Sequence, residues 1–157
     1  MTTTTATSPT ADREVVQSRV FDAPRELVFD AWTDPAAVAE WFGPDGFTIT
    51  TYEMDVRPGG VWRFTMHGPD GTDFPNRIDY HEVVRPERLV YDQGQGGEPW
   101  FHVTTTFEDE EGRTRLTMRS VFPTKEARDH VVNEYGAIEG GKQTLGRLAA
   151  YLAKRAS

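Results

Sequence analysis

The stretch AEWFGPDGF, residues 39–47, is where the chain changes its period. Upstream, DAPRELVFDAWTDPAAVAEWF carries Pro24 and Pro35 where prolines are tolerated, in first helical turns, and Asp34 stands where it can cap a second helix. The spacing predicts two short helices, over 25–32 and 36–42, the second stopped by Gly43-Pro44. Downstream of Phe47 the pattern turns to strands. Trp41 and Phe42 therefore fall on the last turn of a short helix, just before a reversal. Two large rings there need buried neighbours to pack against, or a ligand to meet.

Working outward, REVVQSRVF before the helices alternates like a strand, with Val16, Ser18 and Val20 on one face. After them, FTITTYEMDV places Phe47 and Ile49 in one phase and Tyr52, Met54 and Val56 in the other, which predicts a bulge near Thr50-Thr51. VWRFTMH sets Trp62, Phe64 and Met66 against Arg63, Thr65 and His67. A strand over 73–85 carries Ile78, Tyr80 and Val84 on one face, with Glu82 intruding among them. RLVYDQ and WFHVTTTF are further strands, the latter with Phe101, Val103 and Phe107 in phase. RTRLTMRSVF has one dry face (Leu116, Met118, Ser120, Phe122) and one wet face (Arg115, Thr117, Arg119). The remainder is helical: a short segment, TKEARDHVVNEY, then a longer one over 138–154 with Ile138, Gly141, Leu145, Leu148 and Leu152 on one stripe. A curved antiparallel sheet of about seven strands wrapped around that last helix is the economical packing, an α+β fold with two short helices after strand one.

Composition bounds what such a fold can do. With 157 residues the chain suits one domain, expected over 13–157 behind a disordered threonine-rich tail over 1–12. Nine Phe, five Tyr and four Trp concentrate the apolar volume in rings. A net charge of −8 without a basic cluster argues against nucleic acid, whose binding draws on neutralised phosphates. The absence of cysteine excludes disulfides and thiolate metal sites. The N-terminal MTTTTATSPTAD has neither the basic start nor the apolar stretch of a signal peptide, and no apolar run reaches membrane-span length, so the expectation is a cytoplasmic location without membrane insertion.

Five segments in order, VFDAPRELVFDAWTDPAAVAEWFGP, VRPGGVWRFTMHGPDG, YHEVVRPERLVY, RLTMRSVFPTKEARD and QTLGRLAAYLA, resemble the bacterial single-domain members of the family named after the activator of the Hsp90 ATPase, within the START-like (SRPBCC) superfamily. The resemblance spans nearly all of 14–154. It implies the helix-grip fold, also seen in Bet v-like proteins, in which the sheet grips a long C-terminal helix around a cavity. Many superfamily members hold a lipid, sterol, polyketide or other apolar molecule there, and a few catalyse reactions in it. The family commonly carries a Trp just ahead of QTL. Here that place reads GGK, Gly140 to Lys142, which implies an enlarged or reshaped cavity. Eukaryotic activators use a separate N-terminal domain for much of their chaperone contact, for which this chain is expected to have no room, so chaperone contact does not follow from the name.

The resemblance makes the protein an expected small-molecule binder, with Trp32, Trp41, Trp62, Phe64, Met66, Tyr80, Tyr91, Phe101 and Met118 as lining candidates and Glu82 as polar anchor. In that fold the second short helix lies near the mouth, so one of Trp41 and Phe42 plugs the core and the other faces the entrance. The aromatics are also simply core, each worth about 1.5–3 kcal/mol when buried. Glu82 has two readings: a cavity carboxylate, orienting a ligand or acting as acid–base in a cyclase- or hydrolase-type enzyme; or an outward residue, turned by a bulge or paired with an arginine such as Arg88. GAIEGGKQ, 136–143, falls short of a phosphate loop, because Gln143 holds the Ser/Thr place and a helix stands where a strand is needed; its glycines let a helix pass close to the sheet. The four histidines, His67, His81, His102 and His130, show no metal-ligand spacing and are expected on wet faces or strand ends. No cofactor or metal is expected. Homodimerisation or a chaperone-facing surface is compatible with the chain but marked by nothing specific in it.

Overall fold

The computed structural model describes residues 10–156; most of the expected tail lies outside them. Its end does not: Ala11–Arg13 form a 3-10 turn, and Arg119 donates to Thr10 Oγ1 (2.8 Å) and to Glu14 Oε2 (2.6 Å), pinning the entry of the chain. The elements are β1 (Glu14–Phe21), α1 (Arg25–Thr33), α2 (Pro35–Trp41), β2 (Thr48–Met54), β3 (Val61–His67), β4 (Asp73–Val84), β5 (Arg88–Gly94), β6 (Phe101–Glu110), β7 (Arg113–Val121), α3 (Lys125–Tyr135) and α4 (Ala137–Ala156). All seven strands join one antiparallel sheet in the order β1-β7-β6-β5-β4-β3-β2. The curved sheet and the C-terminal helix make a helix-grip fold, with α4 touching β1, α1, α2 and α3. Among the described residues no helix is long and apolar enough to cross a membrane.

The packing follows from where large rings can hide. Trp41, Val28, Val38, Leu116 and Leu148 are fully buried, and Trp62, Phe64 and Leu89 nearly so. Trp62 stacks on Phe64 (4.1 Å between centroids), while Trp32 meets Trp41 edge-on (4.9 Å). Offset and edge-on pairs of this kind are worth about 0.5–1.5 kcal/mol beyond their burial. Along α4, Leu145, Leu148 and Leu152 form the expected stripe, joined by Tyr151. Ile138 departs from the expectation: at the start of the helix it is 36% exposed, beyond the reach of the core.

Two local readings need correction. Asp34 occupies the N-cap of α2 with extended backbone, but its side chain makes no capping bond. The bulge in β2 falls between Thr51 and Glu53, so Tyr52 turns outward (59% exposed) and donates to Thr65 Oγ1 (3.1 Å) instead of joining Met54 inside. In β1 the face shared by Val16, Ser18 and Val20 is the outer one, with Val16 exposed, and Val15, Gln17 and Phe21 point the other way.

The glycines of GAIEGGKQ do structural work. Gly136 ends α3 in the left-handed region (φ 60°), and α4 begins one residue later, so a helix break stands where a phosphate loop would need a strand. Gly141 lets α4 approach β1 closely. A Cβ there would sit 1.9 Å from Gln17 Oε1, and the Gln17 amide uses that space to donate to the Ile138 carbonyl (2.7 Å).

Candidate ligand-binding cavity

The reversal after Trp41-Phe42 builds one side of the site. Trp41 is the core plug: it is 0% exposed and its indole N–H donates to the Ala31 carbonyl (3.0 Å). Phe42 stands at the centre of the aromatic cluster, edge-on to Trp62 (5.0 Å) and to Phe64 (5.6 Å), and reaches the cavity wall. The loop that follows is clamped from α4. Arg147 donates to the carbonyls of Gly43 (2.9 Å), Pro44 (3.0 Å) and Phe47 (3.1 Å), and Gln143 Oε1 accepts from the Asp45 N–H (3.1 Å). A single guanidinium thus gathers three carbonyls of the loop between α2 and β2, of which that of Pro44 also accepts from the Phe47 N–H (3.1 Å), and holds Pro44 and Phe47 at the mouth.

Behind that loop lies a cavity of two chambers. The outer one, about 560 Å³, is lined by Pro44, Phe47, Phe74, Trp100 and Phe101, with Asn76, Gln95 and His130 as its polar groups. The inner one, about 250 Å³, runs beneath Phe42 and α4 and is walled by Trp32, Tyr91, Val103, Met118 and Phe122, with Gln17, Gln93, Ser120 and Thr144 among them. Pro44, Met66, Phe101 and Val131 line both, so the chambers meet there. The inner chamber alone is small for a ligand site, and the outer one falls within the usual range of about 300–1,000 Å³. Gly140 and Gly141 form part of the inner wall.

The polar groups of the inner chamber are all neutral, and several are held in place. Gln93 Nε2 donates to Asn76 Oδ1 (2.9 Å), and Asn76 Nδ2 donates to the Phe74 carbonyl (3.0 Å), which fixes both amides. Burial pushes the Tyr91 phenol up to about 12 and raises that of Tyr80 further, so both stay protonated. Trp32, only 3% exposed, lines the inner chamber, and its Nε1 has no hydrogen-bond partner among the described residues. A donor buried without a partner costs about 1–3 kcal/mol, which makes Trp32 the least satisfied point of the wall.

Of the sequence candidates, Trp32, Met66, Tyr91, Phe101 and Met118 come together on the cavity wall. Trp41, Trp62, Phe64 and Tyr80 lie in the packed core instead, at 0%, 1%, 1% and 3% exposure. Glu82 is on neither. The register of β4 shifts between Tyr80 and Glu82, so His81 is an extra residue, Glu82 turns outward and Val83 takes the inward position. There Glu82 accepts from Arg88 (2.8 Å), with about half of each side chain exposed. Both outward readings hold at once, and among the described residues no carboxylate lines either chamber. Of the two rings expected to divide between core and entrance, Trp41 is the plug and Phe42 reaches the wall. Linear reading missed Gln93 and the Arg147 clamp, which depend on contacts between residues far apart in sequence.

A curved sheet gripping a long helix around an aromatic-walled cavity defines a START-like fold. The family described as activator of Hsp90 ATPase homolog 1-like protein matches residues 22–153, and the chain belongs to it. Solved structures agree along nearly the whole length. A protein from Nitrosomonas europaea is 25% identical with a TM-score of 0.84, covering 92% of this chain and 97% of its own. One from Arthrobacter aurescens is 27% identical with a TM-score of 0.84, covering 94% and 90%, and one from Mycobacterium smegmatis is 25% identical with a TM-score of 0.82, covering 91% and 92%. Comparison with the curated proteins finds no match.

Proposed function

We propose that the protein binds an apolar or amphipathic small molecule, uncharged at its buried end, within the two-chamber cavity. The observation that carries this reading is the inner wall: large apolar side chains, neutral polar groups only, and the unpartnered indole N–H of Trp32. A carbonyl, ether or hydroxyl oxygen on a ligand would give that N–H the acceptor it lacks once a small turn of the ring uncovers the nitrogen, which is closed off in this conformation. The neutral Tyr91 phenol and the Gln93 amide add a donor and an acceptor on the same wall. An anionic head group would find no counter-charge in the inner chamber and would have to stay at the mouth, beside His130. With Glu82 outside and no carboxylate on either wall, the arrangement supports binding over acid–base turnover.

Titration with the uncharged fluorescent probe N-phenylnaphthylamine tests this. Saturable uptake is expected, competed poorly by a fatty acid. Trp32→Phe keeps a ring but removes the N–H, and it should weaken an acceptor-bearing ligand by about tenfold, the worth of one buried hydrogen bond. Absence of probe uptake by the folded protein would refute the reading.

A further inference from the structure

On the opposite face of the sheet, away from the cavity, three side chains converge that sequence spacing kept apart. Asp92 on β5 lies directly across from His102 on β6, and the extra residue in β4 is His81. His81 Nε2 stands 2.9 Å from Asp92 Oδ2, and His102 Nδ1 stands 2.7 Å from Asp92 Oδ1. The two imidazoles are tilted 31° with centroids 5.9 Å apart, and one donor atom from each of the three residues lies within 4.8 Å of the others. We propose that His81, Asp92 and His102 form a binding site for a divalent transition-metal ion of the zinc, nickel or copper class.

The donor set selects the ion. Two imidazoles and one carboxylate suit zinc, nickel and copper, whereas calcium takes six to eight oxygens and magnesium an octahedron of oxygens. Bonds of about 2.0–2.2 Å place the ligand atoms of a tetrahedral site about 3.4 Å apart. The two N···O contacts, each to a different oxygen of Asp92, are already closer than that, so one imidazole opens slightly from its own oxygen and the other shifts toward the oxygen that binds the ion as the metal replaces the shared protons. The imidazole nitrogens must draw together, which rotation of two half-exposed rings allows, since the side chains are 49% and 47% exposed. The backbone beneath is three hydrogen-bonded neighbouring strands, which makes the site stiff where it has to be. Three protein ligands leave positions for water, as in open sites.

The neighbours fit as well. Asp79 on β4 lies directly across from Asp92, but Arg77 holds it (3.0 Å), so its charge is met without competing for the ion. His67 supplies the contrast: it has Asp73 (2.7 Å) and the Thr50 hydroxyl (2.8 Å) but no second imidazole, and so lacks a third ligand. The site escaped linear reading because residues 81, 92 and 102 share no local spacing; only strand register joins them.

The test is calorimetric titration of the metal-free, tag-free full chain with zinc chloride and nickel chloride, with magnesium chloride as control. One zinc or nickel ion per chain is expected, no magnesium heat, and a rise in Tm with zinc. The double variant His81→Gln/His102→Gln should lose both the heat and the shift in Tm. Asp92→Asn should weaken binding by about 10- to 100-fold, and His67→Gln should leave it unchanged. All four positions are on the outer face, so circular dichroism should show folded variants. No uptake by the unaltered chain, uptake that survives in the double variant, or uptake undiminished in Asp92→Asn, would overturn the proposal and leave a hydrogen-bonded triad.

Discussion

Tyr80, Tyr91 and Phe101 are each followed in the chain by His81, Asp92 and His102, and the two sets lie on opposite faces of three adjacent strands. On the inner face burial removes charge: the phenols are held protonated and the polar groups that remain are amides, hydroxyls and one unpartnered indole. On the outer face charge survives because each acid has a base within reach: Arg63 with Glu53 (2.9 Å), Arg77 with Asp79 (3.0 Å), Arg88 with Glu82 (2.8 Å), and two imidazoles on Asp92. One backbone thus serves two chemistries one residue apart. The energetics differ accordingly, since exposed pairs contribute about 0–1 kcal/mol each and a buried large ring several times that.

Substitutions can break that contrast, the strongest first. Trp41→Ala removes the core plug and its bond to the Ala31 carbonyl, and should lower the unfolding free energy in urea by about 3–5 kcal/mol. Tyr91→Phe tests the dry face through pH. The folded phenol is raised from its ordinary 10.0 to about 12, so the folded state keeps a proton that the unfolded state releases. That contribution is fully present below pH 10 and is lost as pH climbs toward 12, on the order of 3 kcal/mol in all. Alkaline unfolding curves of Tyr91→Phe should therefore be flatter over that window than those of the unaltered chain, with Tyr80 still adding to the slope in both. A variant whose slope matches the unaltered chain would show that the phenol ionises freely.

Arg147→Ala should cost about 2 kcal/mol by releasing three carbonyls, and should speed amide exchange across residues 43–47 while sparing β5 and β6. The smallest effect belongs to Glu82→Gln. With its carboxylate half exposed against Arg88, stability should change by less than about 1 kcal/mol and probe binding not at all. Loss of binding in that variant would put Glu82 back on the cavity side.

Much of this was legible in the sequence, and what was not has a common cause. Period and punctuation located the two short helices, the strands and the α4 stripe, because amphipathic faces are local properties. Alternation failed at Glu82 for a physical reason: one extra residue at His81 inverts every later side chain on the strand. The same effect moved Tyr52 outward. Gly141 could be read as a close approach, but not that Gln17 is what approaches. The Arg147 clamp spans about a hundred residues and the His81–Asp92–His102 group spans three strands, so both exist only once the register is set. Choosing between Trp41 and Phe42 as the cavity ring likewise needed the direction in which α2 ends.

Native mass spectrometry of freshly purified protein, with extraction and identification of whatever dissociates, tests the central claim most directly. The cavity reading expects a stoichiometric adduct of an uncharged, oxygen-bearing apolar compound, lost or weakened in Trp32→Phe and retained in Glu82→Gln. An adduct that is strongly anionic, or one that persists in Trp32→Phe and disappears in Glu82→Gln, would contradict it.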